Sequence, residues 1–243
     1  MMRPNPIGEN GILKQLGADD LATLQPHLKS FTMVRGAVLH LPGGLIQHVY
    51  FPLSGMVSIL AVMKTGEQIE TAIVGREGVV GSSVGTYGKS AFGQATVQVP
   101  GSAWQIQADR FVRLFDENAC VRQATIQFQG VIFLQAQQSA ACHALHTVES
   151  RLCQWLLPSR DVLESDTIEL TQEFLSHKLG VQRNAVSLAA TALQKRGLIE
   201  YLRGTITILD RNSLEAVHVS ATRLFANTSP GPQRRARRAV NEP

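Results

Sequence analysis

Cysteine is scarce: Cys120, Cys142 and Cys153 are the only three in 243 residues, and no Cys-x-x-Cys occurs. An odd, widely spaced set indicates neither a disulfide framework nor a structural zinc cluster, so reduced thiols in a helical core are expected. Long hydrophobic runs are also missing. No uninterrupted apolar stretch approaches the ~18 residues of a membrane span. Met1-Met2-Arg3-Pro4-Asn5-Pro6 leads into no signal-peptide apolar region. A cytoplasmic protein with no membrane partner is expected. Cations are thin in the first half: between Gly36 and Asp109 only Lys64, Arg76 and Lys89 occur, against Glu67, Glu70, Glu77 and Asp109.

What remains is an ordinary globular composition, 44% hydrophobic with a net charge of +4. The length suits one large domain or two small ones. The positive charge gathers late, at Lys178, Arg183, Lys195, Arg196, Arg203 and Arg211, and in a tail carrying Arg234, Arg235, Arg237 and Arg238. A polyanion, if bound, is expected on the C-terminal part.

From Phe31 to Ile106 short apolar or alternating runs are broken by glycine, as in "HVYFPLSGMVSILAVM" and "QIETAIVGREG". This spacing predicts an all-β sandwich or roll, with a hairpin loop at Lys64-Thr65-Gly66-Glu67. From Asn118 to Leu157 there is no proline and one glycine, Gly130. Val121, Ala124, Phe128, Val131, Ile132 and Gln135 follow a 3–4 spacing and predict a long amphipathic helix. These six residues are assigned to a coiled-coil-like seam with a second copy of the chain. Pro158 is expected to end the helical region, with a hinge near His143 to Val148.

Beyond it stands "LTQEFLSHKLGVQRNAVSLAATALQKRGLIEYLRGTITIL". Thr171 suits an N-cap, and Gly180 supplies a tight turn. Val186, Ala189, Ala190 and Leu193 form the inward stripe of the next helix, at i, i+3, i+4 and i+7. Gly197 stops that helix, and a hairpin turns at Arg203-Gly204. Two helices joined by a glycine turn and followed by a hairpin read as a winged helix-turn-helix. Gln182, Arg183, Asn184 and Ser187 lie off the buried stripe and are side chains able to read base edges in double-stranded DNA.

Three enzyme-like or metal-like patterns compete with this reading. Gly81-Ser82-Ser83-Val84-Gly85 matches the G-x-S-x-G nucleophile elbow, which needs a parallel sheet around it. Cys142, His146 and Glu149 fall at i, i+4 and i+7 and are conceivable metal ligands, although hydrogen bonds at the hinge are the favoured role. A cupin-like enzyme would need a His-x-His pair, whereas His40 and His48 stand alone.

The helix-turn-helix stretch, "VYFPLSGMVSI", "VGREGVVG" and "QSAACHALHTVESRLCQWLL" together resemble the Crp/Fnr family of bacterial transcription regulators. The resemblance implies an α+β chain: residues 1–117 a cyclic-nucleotide-binding-like β-roll (jelly roll), 118–146 a dimerisation helix and hinge, and 147–222 a Crp-type winged helix-turn-helix. Residues 223–243 are expected to form a basic, disordered tail. It further implies a homodimer, a small-molecule effector on the roll, RNA polymerase as a partner and no enzymatic activity. Thr171 and Arg203 match positions that commonly touch phosphate. The chain also departs from the family. The early recognition-helix Arg is present as Arg183, but Asn184 replaces a frequent Glu and Leu188 replaces a further Arg. The family's nucleotide cassette pairs Gly with Glu, followed by an Arg; here Ser82 follows Gly81, and no Arg lies between Arg76 and Arg110. No cysteine precedes Cys120. Neither a cyclic nucleotide nor an iron–sulfur cluster is therefore expected as cofactor. The rival class is a small-molecule or metal sensor whose winged helix meets only proteins.

Overall fold

A computed structural model describes residues 9–170 and 172–219. Thr171 and the basic tail therefore lie outside the described residues.

The glycine-punctuated first half folds into two antiparallel sheets. One orders β1 (Lys29–Met33), β7 (Gly101–Gln107) and β3 (His48–Pro52) as β1-β7-β3. The other orders β2 (Val38–His40), β6 (Gln94–Val99), β4 (Met56–Val62) and β5 (Gln68–Val74) as β2-β6-β4-β5. Alternate strand residues point between the sheets, so Val49, Phe51, Val57, Ala95, Val97 and Ile106 form one buried core. The β4–β5 hairpin turns through Gly66 at φ 97°, and the Met63 N–H donates to Glu67 O at 2.8 Å. A short helix, α1 (Ala18–Leu24), precedes this roll.

Three helices follow. α2 (Ala108–Glu117) buries Phe111, Leu114 and Phe115 under the roll. α3 (Ala119–Leu145) starts at Asn118, whose side chain accepts from the Val121 N–H. It stops at His146, where φ is −110° and ψ is 153°. Thr147 caps α4 (Val148–Leu163) by accepting from the Ser150 N–H. The break thus falls inside the expected hinge. Pro158 does not end the helical region, as expected from sequence; it lies inside α4. Its ring is on the exposed side, where water can take up the freed carbonyl, while Leu152, Cys153, Leu156 and Leu157 anchor the helix in a core. That burial offsets the ~3 kcal/mol an interior proline costs.

The six residues assigned to an intersubunit seam require correction. Val121, Ala124 and Phe128 are 4%, 4% and 5% exposed within the roll's own core, and Val131 and Ile132 pack against it. Phe128 seats over Gly78, where any Cβ would stand 2.0 Å from its ring. Gln135 is spent on the edge strand β5: it accepts from the Ile73 N–H at 3.0 Å and donates to Ile73 O at 3.3 Å. Ser139 adds a bond to Glu70 O at 2.9 Å. β5 is the outer strand of its sheet, and these side chains satisfy backbone groups that no further strand pairs.

The C-terminal unit contains α4, β8 (Thr167–Glu169), α5 (Gln172–Leu179), α6 (Arg183–Lys195), β9 (Ile199–Leu202), β10 (Thr205–Ile208) and α7 (Arg211–Val219). Its sheet is ordered β8-β10-β9, one strand more than the sequence hairpin. Its core includes Leu175, Leu179, Val186, Leu193 and Ile206, together with Met56 and Ile73 from the roll. The two halves therefore share a boundary core.

Candidate nucleic-acid interface

The exposed surface of the C-terminal unit follows from how α5 and α6 meet. Gly180 takes φ 60°, a left-handed conformation that lets the chain reverse between them. Val186, Ala189, Ala190 and Leu193 are 0%, 4%, 2% and 0% exposed, as the periodicity predicts. The small Ala189 and Ala190 allow α6 to lie close to its neighbours.

With that stripe inward, Gln182, Arg183 and Asn184 are exposed at the start of α6. Gln182 is the N-cap residue and its side chain makes no cap bond, so its amide is available outward. Ser187 is half-buried and donates its hydroxyl to Arg183 O at 3.1 Å, leaving lone pairs that can accept. Leu188 is 73% exposed beside them, an apolar contact suited to a thymine methyl group. In the sequence it stands out only as a missing arginine. The face thus combines amide, guanidinium and methyl groups, three chemistries able to meet major-groove edges.

The wing belongs to the same unit. β9 and β10 are joined by Arg203 (φ 49°) and Gly204 (φ 81°), both left-handed, the pattern of a type I′ hairpin turn. The Leu170 N–H donates to Gly204 O at 2.6 Å, and the Tyr201 hydroxyl donates to Leu170 O at 3.3 Å. These bonds hold the exposed Arg203 beside the chain that enters α5. Position 171, the other expected phosphate contact, follows directly but lies outside the described residues.

Two cations of the C-terminal group do not serve this face. Lys178 is 5% exposed and forms an ion pair with Glu70 of β5. Arg211 pairs with Asp161 and Glu215, which hold its guanidinium firmly protonated. No local sequence signal distinguishes Lys178 from a solvent-facing cation, because its partner lies in the roll.

The competing patterns separate in space. Gly81 (φ 82°) opens a 3-10 turn over Ser82–Gly85, and both roll sheets are antiparallel, so no nucleophile elbow forms. His40 and His48 lie on strands of different sheets. Cys142 is buried and accepts from the Gln138 amide at 2.9 Å, while Glu149 lies 3.8 Å from Arg196. Among the described residues no three His, Cys, Asp or Glu side chains come together to hold a metal. Lys89, the cation of the segment where the family carries its nucleotide cassette, pairs with Asp109 across an open cleft lined by Leu45, His48 and Gln107.

A β-roll joined by a long helix to a winged helix-turn-helix defines the architecture of a DNA-binding regulator. The cyclic nucleotide-binding domain family matches residues 31–118, and the Crp-like helix-turn-helix domain family matches residues 150–217. Together these span well over half the chain, which is a member of the Crp/Fnr family of transcriptional regulators. Solved structures agree on the fold. A Crp/Fnr-family protein from Eubacterium rectale ATCC 33656 is 17% identical with a TM-score of 0.69, covering 87% of this chain and 99% of its own. FixK2 from Bradyrhizobium japonicum is 16% identical with a TM-score of 0.67, over 78% and 96%. The c-di-GMP-responsive regulator CLP from Xanthomonas campestris is 16% identical with a TM-score of 0.66, over 80% and 100%. No curated protein sequence matches the chain. Among the described residues no helix is long and apolar enough to cross a membrane.

Proposed function

We propose that this chain is a cytoplasmic, non-enzymatic regulator that binds specific duplex DNA as a homodimer and answers to a small-molecule effector on its roll. The observation that carries this reading is the polar face at the start of α6, Gln182-Arg183-Asn184, exposed on a unit whose wing turns at an exposed Arg203. Salt titration tests it. Binding to an operator-bearing duplex weakens steeply with salt, because each neutralised phosphate releases condensed counterions. An absence of DNA affinity at low salt would leave the winged helix to protein contacts and overturn the reading.

Support for a dimer comes from the face of α3 that the roll leaves uncovered. Ile126, Gly130, Phe133, Gln137, Ala140 and Ala144 are all exposed or half-exposed and follow the alternating 4–3 spacing of a coiled-coil seam. Ile126 is 50% and Phe133 63% exposed, costly in water for a lone chain. Gly130 has open space where a Cβ would stand, so a partner helix can approach closely. An RNA polymerase contact is part of the same proposal.

The effector is not a cyclic nucleotide. Ser82 stands where the family's ribose-binding Glu would be, and Lys89 is already neutralised by Asp109. A cyclic phosphate entering the roll would find that cation engaged and no Arg between Arg76 and Arg110. Calorimetry with cyclic AMP and cyclic GMP is expected to show no heat of binding at physiological concentration; micromolar affinity for either would contradict this.

A further inference from the structure

Glu70 stands where the three parts of the chain meet. Its backbone carbonyl accepts from Ser139 of α3 at 2.9 Å, and the neighbouring Ile73 is bonded twice to Gln135 of the same helix. Its side chain faces the C-terminal unit. There one carboxylate oxygen accepts from the Trp155 indole N–H of α4 at 2.6 Å, and the other from Lys178 of α5 and from Ser58 of β4. Lys178 also donates to Ser58 Oγ at 2.5 Å and lies 5.0 Å from the Phe174 ring centroid. Glu70, Ser58, Lys178 and Trp155 are 7%, 0%, 5% and 8% exposed.

A buried ion pair contributes little net stability compared with apolar residues of similar size, because both ions lose their hydration. It does penalise any arrangement that separates the partners, since each would be left as an unpaired buried charge. Such a pair selects one geometry. Here the geometry is the orientation of α5, and hence of α6 packed on it, relative to α3. If α3 carries the dimer seam, that orientation sets the distance and angle between the two recognition helices of a dimer.

We propose that the Glu70–Lys178 pair is a positioning device that fixes the half-site spacing this regulator accepts. The proposal rests on the homodimeric DNA-binding reading given above. Inserting one base pair between half-sites moves them ~3.4 Å apart and turns them by about a tenth of a helical turn. A rigidly held pair of recognition helices cannot follow.

The test is a Glu70→Gln/Lys178→Met double variant. It leaves no unpaired charge, and the amide oxygen introduced at position 70 can still accept from Trp155, so the fold has no reason to fail. Wild type and variant are titrated on duplexes whose palindromic half-sites are separated by the native spacing and by one base pair more or less. Wild type is expected to lose roughly tenfold or more in affinity on altered spacing, the scale of a base mismatch. The double variant is expected to melt with the wild type and keep the same base preference, yet lose only roughly threefold or less on altered spacing. Hydrogen exchange on the free proteins provides a second readout: amides of β5 and α5 exchange faster in the variant, and those of β1, β3 and β7 do not. A double variant with the wild-type spacing penalty, or with unchanged exchange in α5, overturns the proposal. So does a variant that binds the native spacing more tightly, which would make the pair an inhibitory contact. Wild type failing to bind any palindrome overturns instead the DNA reading on which this one rests.

Discussion

Arg203 occupies a left-handed position (φ 49°) that a β-carbon-bearing residue adopts at a cost, and its side chain is exposed at the wing tip. Asn tolerates this conformation better than Ala, so Arg203→Asn removes the charge without disturbing the turn. A phosphate contact carries no sequence information. The Asn variant should therefore weaken all DNA sequences alike and make the salt slope shallower by about one unit, read from binding titrations at several salt concentrations. Loss of preference at a single base pair would contradict the wing assignment. The cysteines depart from the sequence expectation that all three sit in a helical core. Cys142 and Cys153 are buried, and burial pushes the Cys153 thiol up to about 12. Cys120 is exposed at the start of α3, with its thiol raised chiefly by a hydrogen bond to Asp20. Thiol labelling of the folded protein near neutral pH should modify Cys120 alone, and all three in denaturant, as counted by mass spectrometry. Rapid native labelling of Cys153 would mean that the C-terminal core is open.

At the scale of elements, α3 shows what periodicity reveals and what it hides. The 3–4 spacing predicts an amphipathic helix, and one forms, but it carries two apolar stripes, and one sequence does not say which faces its own roll. Val121, Ala124 and Phe128 cover the roll; Ile126, Gly130 and Phe133 do not. A charge on each stripe separates their roles. Phe133→Asp should give a folded monomer by sedimentation, with weakened DNA binding. Phe128→Asp should instead lower the melting temperature sharply, because burying an unpaired carboxylate against Gly78 adds to the loss of ~1.5–3 kcal/mol of aromatic burial. A Phe133→Asp protein that remains dimeric would place the seam elsewhere. Local signals suffice for the glycine turns at Gly66 and Gly180 and for the inward stripe of α6. They fail where a distant partner decides the outcome. Pro158 is tolerated because buried neighbours hold α4 on both sides of it, and Lys178 is drawn inward by Glu70, 108 residues earlier. The outward face of α6 is legible because it is defined by what the helix does not bury.

Across the full chain, the proposed dimer joins two recognition helices through α3, and its two-fold target should be an imperfect palindrome with half-sites about 10 base pairs apart. The hinge at His146-Thr147 links α3 covalently to the C-terminal unit, and the β5 contacts brace it from the side. Arg183 is the residue on which the DNA reading depends most. An Arg at a helix start can donate two hydrogen bonds to guanine O6 and N7, worth about 1–3 kcal/mol of discrimination against other bases. The most direct measurement is a binding selection on random duplex DNA, run in parallel with wild type and Arg183→Ala. Wild type should enrich a palindrome with a guanine-dependent position in each half-site. Arg183→Ala should enrich the same palindrome with that one position flattened and with weaker binding overall. If the variant returns the wild-type sequence preference unchanged, the start of α6 does not read DNA.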